Sequence, residues 1–214
     1  VYEGIGQSSS SIEVRDVRFY VHDIEFLDSK GRATFFELQE DDEFQLKYTK
    51  EDGTIGGLAL IDFTGTDSEM CGVRGTPGVH QTVVGSLPDG DYTSVRFKIG
   101  VPSILNHLDG SVSAPPLNAY GMQWTWTSGY RHMKVDVKAT TEEKVKEAYY
   151  FHPGAQGCES TSGELEGPYE CDMDVAPEFE LSMNPDNHAI ELDLARFYAQ
   201  DDLNLGKGCM FVRN

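Results

Sequence analysis

Several features that mark common classes of protein are scarce or missing in this chain of 214 residues. Basic residues are few, since 17 Lys and Arg stand against 36 Asp and Glu and give a net charge of −19. A nucleic-acid partner is therefore excluded, because binding to phosphates requires a basic patch. No apolar run is long enough to span a membrane. The first residues also lack the pattern of a signal peptide.

Motifs of common enzymes are missing as well. The sequence contains no GxSxG, no GxGxxG, no P-loop and no HExxH. The carboxylates are so numerous that no acid–base pair stands out. These absences predict that the protein is not an enzyme.

Cysteine occurs only four times, at Cys71, Cys158, Cys171 and Cys209, and never as CxxC, so a zinc ribbon is not expected. An even number of loop-bounded cysteines is typical of disulfides in an oxidising compartment. Cys158 and Cys171 bracket a polar, glycine-rich loop. A bridge between them would leave Cys71 to pair with Cys209 over a long range. Three pairings are possible, and the sequence alone does not choose among them.

The hydrophobic pattern is mostly that of strands. Residues 12–27 alternate, with Val17 and Phe19 on one face and Tyr20 and Ile24 on the other, which predicts a strand covered on both sides. Shorter strand-like runs follow, separated by Gly, Pro, Asn and Asp: 44–48, 58–63, 79–84, 92–99, 122–127, 134–139, 145–151, 178–183 and 188–194. This spacing predicts an all-β fold, an antiparallel β-sandwich with long loops.

Other segments complete this prediction. The NPDN run at 184–187 predicts a hairpin turn, and short helices are expected only at 101–108 and 194–205. Residues 1–11 contain a serine tract and predict a flexible N-terminal segment. Residues 12–214 predict a single domain, because no internal repeat or low-complexity tract divides them.

Both tryptophans of the chain lie in one run, residues 115–134 (PPLNAYGMQWTWTSGYRHMK). In a strand, alternation would place Trp124 and Trp126 on one face with Met122. Two indoles on one side form a large, electron-rich surface. Such a surface is compatible with a sandwich core, with a platform that stacks on sugars, or with a site of oxidation.

Histidine is the other informative residue type. Five of the six histidines lie in or beside apolar strands or tight turns: His22, His80, His107, His132 and His152. A single histidine in such a place is usually structural. Several of them, together with two clustered tryptophans and six methionines, favour a soft or borderline metal, since imidazole suits copper and zinc and thioethers suit Cu(I). The acidic loop at 62–69 is a further candidate, for calcium.

A set of segments resembles the MbnP-like family of methanobactin-associated proteins, which are encoded beside a di-haem peroxidase-type partner. The segments are VRFYVHDIEFLDSKG, GTPGVHQTVVG, FKIGVPSILNHLD, PPLNAYGMQWTWTSGYRHMKV, FHPGAQGC and GCM. They follow the family's order over nearly the whole chain, and the family's four-cysteine pattern is present.

The resemblance implies a disulfide-stapled β-sandwich, periplasmic, outer-membrane or secreted, that binds Cu(I) and serves copper uptake or homeostasis. It also implies that a di-haem (MbnH-type) partner oxidises Trp124 or Trp126 to kynurenine. A copper chelator or an outer-membrane transporter would be a further partner. The copper ligands that it implies are drawn from His22, His80, His107 and His152. The alternative is a carbohydrate-binding or adhesive module that uses the tryptophan pair as a stacking platform.

Overall fold

The structure is a computed structural model. It describes residues 1–41, 43–64, 78–125, 127–140, 145–164, 168–173, 175–183, 189–203 and 209–210. Trp126, Cys71 and His188, together with most of the acidic loop 62–69, lie outside these ranges.

Strands are the main regular structure of the described chain, as the sequence predicts. In chain order they are β1 (Tyr2–Ile5), β2 (Ser10–Asp28), β3 (Ala33–Phe35), β4 (Glu37–Leu38), β5 (Gln45–Thr49), β6 (Ile55–Asp62), β7 (Gly85–Ser86), β8 (Tyr92–Ile99), β9 (Gln123–Thr125), β10 (Gly129–Tyr130), β11 (Met133–Thr140), β12 (Val145–His152), β13 (Gln156–Ser160), β14 (Tyr169–Met173), β15 (Glu178–Ser182) and β16 (Cys209–Met210). The described residues contain two helices, α1 (Ser103–Asn106) and α2 (Leu194–Phe197), both shorter than predicted. Neither has the length and apolar character needed to cross a membrane.

The central element of the large sheet is β2, which is 19 residues long and confirms the strand predicted at 12–27. One edge of β2 pairs first with β11 and then with β8, and the other edge pairs with β1, β6 and β3. The change from β11 to β8 occurs at Tyr20. Its N–H donates to the His132 carbonyl (3.1 Å), and its carbonyl accepts from the Gly100 N–H (2.9 Å).

The two faces of β2 are covered by different parts of the chain. On the odd-numbered face, Val17 and Val21 belong to apolar clusters with residues of β6, β8 and β11. On the even-numbered face, Tyr20 packs beneath the long connection between β8 and β11, residues 100–132. The residues of that connection in the cluster are Val101, Leu105, Leu117, Met122 and Tyr130. Because this connection contains the tryptophan run, the predicted metal site is expected on the even-numbered face of β2.

Residues 1–11 differ from the flexible segment that the sequence predicts. Tyr2 pairs with Ile12, and the buried side chain of Ile5 joins Ile12 in an apolar cluster. Ser10, within the serine tract, is fully buried at the start of β2. The physical reason is that Ile5 supplies an apolar anchor within an otherwise polar stretch.

Two further strand predictions differ from the structure. Residues 79–84 form no strand and make a single isolated β-bridge, between His80 and Asp62. The next strand, β7, begins only at Gly85. Residues 189–193 form no strand, although the sequence predicts one over 188–194. The predicted NPDN hairpin falls at 184–187, outside the described residues.

One predicted disulfide is confirmed. Cys158 and Cys171 are bonded to each other and face one another across the β13–β14 hairpin. Cys209 lies in β16, which pairs with β12, but Cys71 lies outside the described part of the chain. The second bridge, Cys71–Cys209, therefore stays a prediction.

Removing the confirmed disulfide should destabilise the protein. The double substitution Cys158→Ala with Cys171→Ala should lower the free energy of unfolding by about 3 kcal/mol, because the bridge restrains an unfolded loop with a sequence separation of 13. Urea unfolding under oxidising conditions measures this difference. The single substitution Glu170→Gln, at an exposed position of the same hairpin, is the control. Equal stability of the double variant and the wild type would contradict the prediction.

Candidate metal centre

The tryptophan run forms a short hairpin, β9–β10, instead of the longer strand predicted at 122–127. Trp124 lies on β9 and is half-buried, whereas Trp126 falls in the connection between the two strands, outside the described residues. Met122 precedes β9 and is fully buried in the cluster around Tyr20. Met122 therefore fills the core, the commoner role of methionine. A shared face for the two indoles stays a prediction.

Two neighbours confine the indole of Trp124. The guanidinium carbon of Arg131 lies over the ring, 5.0 Å from its centroid. The ring also packs against Gly154 in the FHPGAQGC segment. A methyl group added at Gly154 would lie 2.6 Å from Trp124 Cζ3 and 2.7 Å from the Tyr130 carbonyl oxygen. A side chain at position 154 would therefore displace the ring or the backbone of the hairpin.

The hairpin is attached to the end of α1 and to the turn that follows it by three hydrogen bonds: Tyr130 N–H to Asn106 Oδ1 (2.9 Å), Gly110 N–H to Gln123 Oε1 (3.1 Å), and Gln123 Nε2 to the Leu108 carbonyl. Asn106 is only 2% exposed. Its amide thus replaces a strand partner for the backbone N–H of Tyr130, the last residue of β10. His107 follows Asn106 directly, so this predicted ligand belongs to the same region as the tryptophan hairpin.

His107 has several structural contacts. It is the C-cap residue of α1, and its ring stacks on Tyr169 with centroids 4.2 Å apart. Its Nε2 lies 3.6 Å from Cys171 Sγ. The ligand atoms of His107, Cys158 and Cys171 lie within 4.8 Å of one another. The two sulfurs are bonded to each other, however, and cysteine binds metals only as the free thiolate. His107 is therefore the one usable ligand of this group.

His152 has the arrangement expected of a metal ligand. It is 5% exposed, and its Nε2 lies 2.6 Å from Asp136 Oδ1. Its Nδ1 is buried and has no hydrogen-bond partner among the described residues. A carboxylate on one ring nitrogen fixes the tautomer and leaves the lone pair of the other nitrogen for a metal.

An oxygen atom orients His80 through a hydrogen bond, whereas Asp23 only approaches His22. His80 Nδ1 donates to the Leu60 carbonyl (2.7 Å), and its ring stacks on Phe44. His22 is 4% exposed and its Nδ1 lies 3.3 Å from Asp23 Oδ2, but neither of its ring nitrogens has a hydrogen-bond partner within the described chain. The imidazole of His80 therefore has one nitrogen fixed, as in many metal sites.

The structure does not gather the four predicted histidines into one protein-only centre. We searched the described part of the chain for sets of three or more His, Cys, Asp or Glu whose ligand atoms lie within 4.8 Å of one another. His107 with the two bonded cysteines is the only such set there.

His132, which the sequence ranks below the other candidate ligands, is fully buried in the structure. Its N–H donates to the Pro153 carbonyl (2.8 Å), and Nδ1 lies 3.3 Å from the Val175 carbonyl.

A buried ionic cluster beside His152 was not predicted from the sequence. It consists of Asp16, Arg18, Lys134 and Asp136, each at most 6% exposed. Arg18 donates from Nε and Nη2 to the two oxygens of Asp16 (2.8 and 2.6 Å). Lys134 contacts Asp16 and lies 3.2 Å from Asp136, the partner of His152. The sequence does contain one indication of this cluster: Asp16 and Arg18 lie on the same face of a buried strand as Tyr20.

Asp16 of this cluster and the neighbouring Arg131 are both charged at neutral pH. Burial raises the pKa of the Asp16 carboxyl, but the hydrogen bonds and charge of Arg18, with those of Lys134, outweigh it, so the pKa lies below its usual value. Burial lowers the pKa of Arg131 to about 10, although Asp136 opposes this shift. The Arg131 guanidinium over Trp124 is therefore a cation at pH 7.

The family model MbnP matches residues 2–211 of this sequence. The chain belongs to the MbnP family. The solved structure of MbnP from Methylosinus trichosporium is similar at 25% sequence identity and a TM-score of 0.72, over 94% of this chain and 71% of that one. No curated protein matches the sequence. The resemblance to the methanobactin-associated proteins is thereby confirmed, as is the all-β sandwich.

Proposed function

We propose that this protein binds Cu(I) after a di-haem (MbnH-type) peroxidase-like partner has oxidised Trp124 or Trp126 to kynurenine. Its role is copper uptake or homeostasis in the periplasm or at the cell surface, where a copper chelator or an outer-membrane transporter exchanges the ion with it. Membership of the MbnP family supports this proposal. The observation that carries it is the attachment of the tryptophan hairpin to Asn106 and Gly110, on either side of His107 in the sequence.

The chemistry explains why oxidation would precede copper binding. An indole nitrogen is a hydrogen-bond donor only, because its lone pair belongs to the ring. Oxidation breaks the C2–C3 bond of the indole. Two molecules of hydrogen peroxide would supply the two oxygen atoms and leave as two waters, and hydrolysis would then release C2 as formate. The products are a ketone and an aryl amine, and the nitrogen lone pair of the amine is available to copper.

The histidines supply the remaining ligands in this proposal. Imidazole and amine nitrogens are borderline donors that suit copper. Because His107 follows the residue that holds β10, it is the predicted ligand most closely tied to the hairpin. A second imidazole comes from His80, His22 or His152. A hydrogen bond to an oxygen atom holds one ring nitrogen of His80 and one of His152, whereas both ring nitrogens of His22 are buried without such a bond.

The environment of Trp124 argues against the carbohydrate-binding alternative. A sugar platform needs an open aromatic face, whereas Arg131 lies over the Trp124 ring and the ring edge packs on Gly154. Titration with oligosaccharides, followed by tryptophan fluorescence, should therefore give no response. A saturable response to a sugar would revive the alternative.

Co-expression with the di-haem partner tests the proposal. Mass mapping of the peptide around residues 124–126 should show kynurenine, and a competition assay with a chromogenic Cu(I) chelator should show one Cu(I) retained per chain. His107→Ala should leave the modification intact and weaken Cu(I) binding by roughly tenfold or more. His188→Ala, outside the family-like segments, should bind as the wild type does. Intact indoles after exposure to active partner, together with no Cu(I) retention, would refute the proposal.

A further inference from the structure

We infer that reduction of the Cys158–Cys171 disulfide creates a soft metal site, in which the two thiolates and His107 Nε2 hold Cu(I). In the oxidised protein the imidazole is the one usable ligand of this group, because the two sulfurs are bonded to each other. The inference goes beyond the proposed function, since the site requires neither kynurenine nor the di-haem partner.

The three ligand atoms of this site are already close together. They lie within 4.8 Å of one another, and His107 Nε2 lies 3.6 Å from Cys171 Sγ. Metal–sulfur bonds of about 2.3 Å and metal–nitrogen bonds of about 2.0 Å would place the ligand atoms of one ion roughly 3.5–4 Å apart. The nitrogen–sulfur distance therefore suits a shared ion as it stands, and only the two bonded sulfurs have to separate.

Strand pairing keeps the two cysteines opposite each other without the bridge. Cys158 and Cys171 are direct partners in the antiparallel β13–β14 ladder, which continues on both sides of this pair. At the ordinary spacing of such partners the Cβ atoms are about 4.5–5.5 Å apart, which gives the separated sulfurs room for an ion between them. Reduction therefore leaves two thiolates beside the imidazole.

Asn106 and Tyr169 orient the imidazole of His107. Asn106 Oδ1 accepts from the Tyr130 N–H, so the amide nitrogen Nδ2 is the atom that lies 3.3 Å from His107 Nε2. An amide nitrogen only donates, so Nε2 is the unprotonated ring nitrogen and carries a lone pair. The ring also stacks on Tyr169, which lies on the same strand as Cys171. The tautomer and the position of the ring are thus those of a metal ligand.

The reaction that opens the site requires a dithiol as the reductant. A thiolate of the dithiol attacks the sulfur of Cys171, the more exposed of the two cysteines, and the second thiol of the reductant completes the exchange. The protein disulfide gains two electrons and two protons and becomes two thiols, while the dithiol becomes a disulfide. Cu(I) then displaces both thiol protons as it binds.

The ligand set favours Cu(I) over other ions. Thiolates are soft ligands that select Cu(I), and imidazole suits copper as well. Zn²⁺ also binds thiolates, but structural zinc sites are almost always four-coordinate, and this group of described residues supplies three ligands. The redox state of one disulfide thus decides whether His107 acts alone or together with two thiolates.

Titration of the protein expressed without its partner provides the test. Dithiothreitol reduces the protein under anaerobic conditions, gel filtration removes the reductant, and Cu(I) is added in competition with a chromogenic chelator. Reduced wild type should hold one Cu(I) more per chain than reduced Cys158→Ser/Cys171→Ser, which keeps Cys71, Cys209 and every histidine. The ultraviolet absorption of a copper–thiolate bond should accompany this extra ion and be absent from the oxidised protein. Equal copper content of the two reduced proteins would overturn the inference.

Further variants test the imidazole and the choice of ion. His107→Ala should weaken the binding of the extra ion by roughly tenfold or more, whereas His188→Ala should leave it unchanged. If His107→Ala had no effect, the site would consist of the thiolates alone and the three-ligand form would be overturned. Tighter binding of Zn²⁺ than of Cu(I) to the reduced protein would overturn the choice of copper.

Circular dichroism shows whether the reduced protein keeps its fold. It should retain the β-sheet signal of the oxidised protein, and loss of that signal would overturn the inference, because the site needs the hairpin beside His107. These measurements contain neither kynurenine nor the partner, so their outcome is independent of the proposed function. Failure of the partner to convert a tryptophan would leave the reduced site standing, and failure of the reduced chain to bind the extra ion would leave the proposed function standing.

Discussion

Asp16→Ala should lower the free energy of unfolding by about 3–5 kcal/mol. The carboxylate is 2% exposed, accepts two hydrogen bonds from Arg18 and contacts Lys134. Its removal leaves two buried cations without their shared anion. The cost of such an uncompensated buried charge exceeds the value of an ordinary hydrogen bond. Urea unfolding at pH 7 measures the loss.

The pH dependence gives an independent check on Asp16. Its pKa is lower in the folded protein than in the unfolded chain, where the value is about 3.9. The stabilisation from this group is therefore fully present above the unfolded pKa and is lost as the pH falls through the folded pKa. The stability gap between wild type and Asp16→Asn should accordingly narrow below pH of about 4.

The control for Asp16 is an ion pair of similar length at the surface. Glu37 lies 2.8 Å from Lys47 Nζ, but its side chain is exposed. Glu37→Ala should leave stability nearly unchanged, since water and salt screen such a pair. If Asp16→Ala proved as mild as Glu37→Ala, the buried cluster would not be an important source of stability.

Gly129→Ala should destabilise the protein by about 2–3 kcal/mol and disrupt the tryptophan hairpin. Gly129 has a φ of +68°, a region that disfavours a side chain. An added methyl would also lie 2.5 Å from Asn106 Nδ2. Asn106 is buried and bonded to the next residue of β10, so it cannot move away without breaking its bond to Tyr130. We therefore expect reduced kynurenine formation and weaker Cu(I) retention along with the loss of stability.

Gly53→Ala is the matched control for the hairpin. Gly53 has a φ of +81°, and no described atom lies within 4 Å of an added methyl. The substitution should cost only the backbone strain, about 1 kcal/mol, and should leave Cu(I) retention unchanged. Urea unfolding and the Cu(I) competition assay, applied to both variants, separate the two effects. Equal losses at both glycines would show that the contact with Asn106 is unimportant.

Local patterns accounted for much of the fold. The strand at 92–99 is β8 with the predicted bounds, and the strand at 12–27 is β2 extended by a few residues. Such strands can be read from a sequence because alternation with a period of two reflects burial on each face. The pairing of Cys158 with Cys171 was among the expected bridges, since the two residues bracket one short loop.

Other features had no local signal. The packing of β1 depends on one isoleucine in a polar segment. The pattern that predicts a strand at 79–84 corresponds in the structure to a single β-bridge at His80. Candidate ligands could be named from the residue types and the family-like segments. The tautomer of His152 could not be predicted from the sequence, because its carboxylate partner, Asp136, lies on the neighbouring strand.

The amino-acid order alone indicated the strand-rich class, the family and a short set of candidate copper ligands, since these depend on residue type, spacing and neighbouring positions. Only the folded chain brought Arg131 and Gly154 to Trp124, and Lys134 to Asp16, 118 positions away. Contacts of this kind depend on which strands become neighbours in the sheet. Strand pairing is decided by the free energy of the whole core, and periodicity within one segment carries no information about the distant segment that will cover it.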